Sequence, residues 1–305
     1  MTQQYKHDLL LTSTLLLLIL SGLGCKTQQK SVNTQVISGS AGSYNHLFWK
    51  INRDDLDQPS YLYGTIHIIP NDSFFLPPLV REQLDRSEHL VTEIVLDAQS
   101  MMATAMQMIL TPPNNLKSLL SEDDYQYLQQ FMQDSMPVSI PMYQMIKPIF
   151  LAQQISTMYC LREQPNSYEL YFTNLFKEAE KPISGLETVE EQIAFFNDIP
   201  LEEQVHELME TVRSPKTYCT QFQDMFRLYR QQRLDQLMQM VDDDPTLKDR
   251  TGNLLYKRNK NWVKPLIEKI KEGRVFIAVG AAHLPGDQGL IELLRSEGYS
   301  VTAMY

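Results

Sequence analysis

The chain is short of positive charge. Its 305 residues carry 27 Lys and Arg against 37 Asp and Glu, a formal net charge of −10. A general nucleic-acid binder needs a basic face to neutralise phosphates, and this balance argues against one. No run of like charges is long enough to form an acidic or basic tail. Long apolar runs are missing too. Leu9 to Leu20 is almost wholly apolar, but about a dozen residues are too few to span a bilayer comfortably as a permanent helix. The sequence has no His-Glu-x-x-His, the most legible zinc-hydrolase pattern, and no internal repeat of fixed period. Cysteine is scarce, with three residues. What is present is an ordinary globular balance, 43% hydrophobic and 21% charged. That suits one large domain, or one domain with an insertion.

The first segment stands apart. A short polar start, the Leu9–Leu20 run and Ser21-Gly-Leu-Gly-Cys25 have the layout of a signal peptide over 1–24. A cysteine directly after small residues resembles a bacterial lipoprotein signal, in which that cysteine is lipidated and becomes the mature N-terminus. Here Gly22 stands where leucine is usual, and Leu23 is one place late. Residues 26–43, rich in Gln, Ser, Thr, Gly and Asn, read as a flexible tether behind Cys25. This arrangement predicts a membrane-anchored lipoprotein of the bacterial cell envelope, periplasmic or on the cell surface, with an ordinary secreted or N-terminally anchored protein as the alternative. An exported compartment permits a disulfide between the remaining Cys160 and Cys219. Two buried free thiols are an equal alternative.

Order is expected from Tyr44. Leu47–Ile51 and Ser60–Tyr63 have strand character and form a hairpin pair. A helix from Pro77-Pro78 to about Ser87 and a strand over Leu90–Val95 follow, so the region reads as a βαβ unit. From about 99 to 256 the pattern is mostly helical, with one short strand over Lys181–Gly185 and a long helix over Thr220–Met240. The methionines Met101, Met102, Met106 and Met108 read as helix core. A helix over Asn259–Lys271, a strand over Arg274–Val279, a helix over Gly289–Glu297 and a strand over Tyr299–Met304 make a second βαβ unit. The expected fold is α/β (α+β), a mostly parallel sheet built from both ends of the chain around a large helical insertion.

Two strands close on Gly-x-x-His, as Gly64-Thr-Ile-His67 and Gly280-Ala-Ala-His283. Glu93 ends a third, and Glu187 follows the short one. Sites in open parallel sheets gather outside the carboxyl ends of the strands. Two imidazoles and a carboxylate are a sufficient ligand set for a catalytic divalent ion. Such a set leaves a position for water, whose pKa the ion lowers. Glu187 could serve as general base, further ligand or orienting partner, or simply as a first-turn helix carboxylate. Each histidine could equally hydrogen-bond a turn, and Arg258 could be a solvated member of the basic run Lys257–Lys260. His46 is a weak orienting candidate, while His89 and His206 read as ordinary surface residues.

Tyr61-Leu-Tyr-Gly-Thr-Ile-His67, Leu90-Val-Thr-Glu93, Gly185-Leu-Glu-Thr-Val-Glu-Glu-Gln192, Arg258-Asn259, Gly280-Ala-Ala-His-Leu-Pro-Gly-Asp-Gln-Gly289 and Gly298-Tyr299 occur in this order. Together they resemble the TraB/GumN family, related to Tiki-type metalloproteases and more distantly to erythromycin-esterase and ChaN-like proteins. The resemblance covers 44–305. It implies metal ligation by His67, Glu93 and His283, with Mn²⁺, Co²⁺ or Zn²⁺ as the ion, and a peptide or protein as substrate. It also matches Arg258 to a family arginine, at an oxyanion or orienting Glu93; in the catalytic role expected here, Glu187 or Glu93 moves protons. The family's usual Gly-hydrophobic-Asp is replaced by Asn166-Ser-Tyr168-Glu169, so no role passes to Glu169. The expected function is a cell-envelope metal-dependent peptidase. The alternatives are a non-catalytic binding or signal-capture protein, and an esterase-type hydrolase.

Overall fold

The structure, a computed structural model, describes residues 44–136, 142–244, 247 and 250–305. The expected signal peptide, lipidated Cys25 and tether lie outside the described residues. A six-stranded mixed sheet forms the centre. Its strands are β1 (Phe48–Asn52), β2 (Ser60–Thr65), β3 (His89–Thr92), β4 (Ile183–Gly185), β5 (Val275–Gly280) and β6 (Ser300–Ala303). They lie in the order β4-β3-β5-β2-β1-β6.

The hairpin is present, with Ile51 opposite Ser60 in antiparallel register. The two expected βαβ units interleave rather than lie side by side. β5, from the C-terminal end of the chain, slots between β2 and β3 and runs parallel to both. Every residue of β5 is buried. This explains its continuous apolar sequence, since a central parallel strand has no polar face. β6 returns to the far edge beside β1, antiparallel to it.

Helices cover the sheet and fill the insertion. Pro78 opens α1 (Pro78–Arg86) in the first turn, where a missing N–H costs nothing. The insertion holds α2 (Ala98–Gln107), α3 (Leu116–Leu119), α4 (Glu122–Asp134), α5 (Pro148–Leu161) and α6 (Tyr168–Glu178). After β4 come α7 (Val189–Asn197), α8 (Leu201–Arg213), α9 (Pro215–Arg230) and α10 (Leu234–Asp243), then α11 (Lys257–Glu272) and, after β5, α12 (Leu290–Ser296). Phe172 of α6 sits edge-on to Phe276 of β5 and Tyr63 of β2, at 5.4 and 5.9 Å. That contact clamps α6 onto the sheet. No helix among the described residues is long and apolar enough to cross a membrane.

Three expectations are corrected. The helix read over Thr220–Met240 is two helices, because Gln232 takes a left-handed backbone (φ 55°) between them. β3 ends at Thr92, so Glu93 lies just beyond the strand. Met102 and Met106 are not core: each is 66% exposed, on the outer side of α2. Cys160 of α5 and Cys219 of α9 form a disulfide with a Cα–Cα distance of 5.0 Å, which resolves the alternative left open by the sequence.

Candidate functional site

Parallel register brings the ends of four strands to one edge. Thr65 of β2 pairs with Gly280 of β5, and Thr92 of β3 pairs with Ala278 of β5 and Gly185 of β4. His67, Glu93, Glu187 and His283 each follow one of these ends within three residues. Arg258 reaches them from the first turn of α11, directly after a π-helical turn at Gly252–Tyr256.

Glu93 is 3% exposed and fully engaged. One oxygen, Oε1, accepts the Gly280 N–H at 2.7 Å. The other, Oε2, accepts from Gln192 at 3.0 Å and Arg258 Nη2 at 2.6 Å. Gln192 comes from α7, whose start is set by a reciprocal capping box between Thr188 and Glu191. Glu187 therefore precedes the helix cap and is not a first-turn residue. It takes Arg258 in a two-point pair, with Nε at 3.0 Å and Nη2 at 2.5 Å. Arg258, 8% exposed, is no solvated surface residue.

His283 is completely buried. Its Nδ1 lies 2.6 Å from the side-chain oxygen of Asn259, whose amide nitrogen donates to the Gln288 carbonyl at 2.8 Å. That network puts the proton on Nδ1 and leaves Nε2 as a bare lone pair. Arg258 Nη1 donates to Nε2 at 3.2 Å. The Trp262 ring lies against both groups, 4.5 Å from the imidazole and 4.7 Å from the guanidinium carbon.

His67 is oriented by Glu169, on the first turn of α6. Nδ1 lies 3.0 Å from Glu169 Oε1, and that carboxylate also accepts from Thr65 at 2.5 Å and Ser167 at 3.2 Å. With Nδ1 engaged, Nε2 faces Gly280. A Cβ placed on Gly280 would lie 3.2 Å from Glu93 Oε1, 3.6 Å from His283 Cδ2 and 3.7 Å from His67 Nε2. The three side chains thus surround one glycine, with Glu93 Oε1 3.8 Å from His283 Nε2.

Electrostatics separates the roles. Burial works against ionised Glu93, but Arg258, the two histidines and the Gly280 N–H outweigh it and hold its pKa down to about 2. Burial also disfavours charge on His283, and Arg258 adds to this, so its pKa falls to about 3 and the ring stays neutral. Burial opposes protonation of His67 too, yet the adjacent Glu169 carboxylate prevails and raises its pKa. Burial raises the pKa of Glu187 despite its pairing with Arg258. Of the two carboxylates sharing one guanidinium, Glu187 is the one that takes a proton first.

The donor types suit a divalent ion. Glu93 and Glu187 together exceed the single charge of Arg258, which favours a further cation. The side chains are nevertheless not set as a metal centre: among the described residues no group of three or more His, Cys, Asp or Glu is arranged to hold an ion. Arg258 lies instead on Glu93 Oε2 and His283 Nε2. The room beside His67, Glu93, Glu169 and Gln192 is about 10 Å³, the scale of a single water. A groove of about 450 Å³ runs alongside, bounded by Asp97, Ser100, Glu187 and Glu190, and Ile94 borders both spaces.

The model of the TraB/PrgY/gumN family matches residues 47–303. The chain belongs to the TraB/PrgY/gumN family. Its curated relatives include the metalloprotease TIKI1 of Xenopus tropicalis, 23% identical over 93% of this chain and 66% of that protein. Human metalloprotease TIKI1 is 23% identical over 84% of this chain and 61% of its own length. The uncharacterised protein YbaP of Shigella flexneri is 27% identical over 82% of this chain and 94% of YbaP. The chain therefore spans less than two thirds of each TIKI1 protein, but nearly the whole of YbaP. No solved structure matches it.

Sequence reasoning missed Glu169, Asn259 and Gln192 as parts of this site. Asn259 and Gln192 stood within the family motifs, yet only side-chain contact gives them roles. His46 packs on Trp49 and Tyr305 instead of joining the cluster. His89 is half-buried against Ser184 rather than solvated.

Proposed function

We propose that this TraB-family protein is a metal-dependent peptidase whose site is the cluster around Gly280. The observation that carries the reading is the convergence of His67, Glu93 and His283 on that glycine at the carboxyl ends of three parallel strands. The metalloprotease name of the Tiki relatives supports it at low identity. His67 Nε2, Glu93 and His283 Nε2 would hold the ion, which would polarise a carbonyl and acidify water.

The rest belongs to the chain's own residues. Asn259 keeps the lone pair of His283 turned inward, and Glu169 does the same for His67. Glu187, with its raised proton affinity at the mouth of the site, accepts and returns the proton. Arg258 supplies fixed positive charge where an oxyanion develops. The adjacent groove, with Asp97, Glu190 and Glu191 on its walls, offers room for an extended substrate.

The test is hydrolysis of a peptide library by the purified 44–305 domain with Mn²⁺, Co²⁺ or Zn²⁺, and with chelator. Metal-stimulated cleavage that is lost in His67→Ala and His283→Ala is expected. Wild-type behaviour of both variants would refute the peptidase. We further propose that Cys25 carries a lipid anchoring the domain to a bacterial envelope membrane. In vivo labelling with a fatty acid should mark the wild type and not Cys25→Ser, and equal labelling of both would reject the anchor.

A further inference from the structure

The side chain lying on the proposed metal donors is itself a cation. Arg258 Nη1 occupies the lone pair of His283 Nε2 at 3.2 Å, and Nη2 occupies Glu93 Oε2 at 2.6 Å. His283 Nε2 has one lone pair and cannot serve a guanidinium and an ion at once; on Glu93 the competition is for Oε2, while Oε1 faces the histidines. Arg258 has another holdfast, reached by Nε and by the same two terminal nitrogens. Glu187 grips Nε and Nη2, and Nη1 also donates to the Leu254 carbonyl at 3.0 Å. Loss of Glu93 and His283 would still leave the guanidinium a carboxylate, a carbonyl and the Trp262 face. All these partners come from segments other than those of the two histidines.

The geometry points to Arg258 as an internal counter-cation that competes with a divalent ion for Glu93 and His283, so that metal uptake is a cation exchange within the site. The inference rests on the metal reading above and adds a regulatory device to it. Before an ion arrives, the guanidinium compensates two buried carboxylates, which would otherwise be strongly destabilising. When the ion takes Glu93 and His283, Arg258 retreats onto Glu187. Metal occupancy and the contacts of Arg258 are then linked, and each can be read from the other. A side chain that merely oriented the ligands would act in the opposite direction, because its removal would weaken the ion.

Direct metal binding separates the two, with no need for an activity. Calorimetric titration of the 44–305 protein with Mn²⁺ and with Zn²⁺ should give a Kd at least about tenfold lower for Arg258→Met than for wild type, on the scale of one lost charged hydrogen bond. Without metal, the same variant should melt roughly 10 °C lower, as a broken buried ion pair does. Saturating metal should recover most of that loss. Glu187→Gln leaves the three donors intact but removes the holdfast. It should weaken metal binding in the wild-type background, and by much less in Arg258→Met. If Arg258→Met does not fold, unchanged or tighter metal binding by Glu187→Gln alone still overturns the exchange. Equal or weaker metal binding by Arg258→Met, beside a wild type that binds, would overturn the exchange while leaving the metal site standing. An equal effect of Glu187→Gln in both backgrounds would also overturn it. Absence of binding by every form would overturn both readings.

Discussion

Gly280→Ala is the sharpest probe of the site, because the glycine is required by its neighbours and not by its backbone. Its φ of −51° and ψ of 136° are open to any L-residue. The new methyl would lie 3.2 Å from Glu93 Oε1 and within 3.7 Å of His67 Nε2. Glu93 cannot readily move away, being held by the Gly280 N–H, Gln192 and Arg258. A few tenths of an ångström of strain at one contact costs about 1–2 kcal/mol. In a domain of this size, that lowers the melting temperature by roughly 2–8 °C. The functional loss should be far larger. The methyl intrudes on the point that the three side chains surround, beside only about 10 Å³ of room. Displacing reacting groups by about 1 Å typically costs on the order of 100-fold in rate. Given the peptidase proposed above, the assay is kcat/KM on a peptide found to be cleaved by the wild type, measured beside thermal melting. A folded Gly280→Ala enzyme with activity within about threefold of wild type, well short of that loss, would show that the reaction does not occur at Gly280.

Other consequences follow from groups outside the cluster. The Cys160–Cys219 bridge closes a loop of 59 residues. By the chain-entropy relation this is worth about 4 kcal/mol. Reduction, or Cys219→Ser, should therefore lower the melting temperature by roughly 8–16 °C, as calorimetry with and without reductant would show. Glu207 is buried between α8 and α9 and accepts the Tyr218 hydroxyl at 2.9 Å. Burial raises its pKa in the folded state, so folding favours the protonated acid and stability is lost as pH rises above the ordinary carboxylate range. Glu207→Gln, which is neutral at every pH and keeps an acceptor, should raise the melting temperature at pH 7. The gain should shrink towards about pH 4, where the unfolded carboxylate also protonates. A gain independent of pH would refute this account.

The chemistry at the sheet edge was legible because strand ends carry signals of their own. A Gly-x-x-His after an apolar run states both that a strand stops and that a ligand-type side chain follows. The shared edge could be anticipated from the parallel sense of the strands. The interleaving could not, since nothing local in Val275–Gly280 says that it lies between β2 and β3. Met102 and Met106 were misread for a related reason: methionine fits core and surface alike, and α2 has a partner on only one side. Glu169 was passed over because a departure from a family pattern carries no geometry. Its role became visible only when α6, clamped by Phe172, placed the carboxylate on His67.

By itself, the sequence determined which side chains are candidates for the site: His67, Glu93, Glu187 and His283 are named by strand-end position, and Arg258 by motif. It also set the acidic balance and the α/β plan, since these depend on composition and on local period. Tertiary structure alone decided how those side chains share their charges. The two-carboxylate grip on Arg258, the Asn259 relay that bares His283 Nε2 and the Glu169 hold on His67 join residues 24 to 165 positions apart. Hydrogen bonds at such separations are fixed by sheet register and helix docking, and no local pattern encodes them.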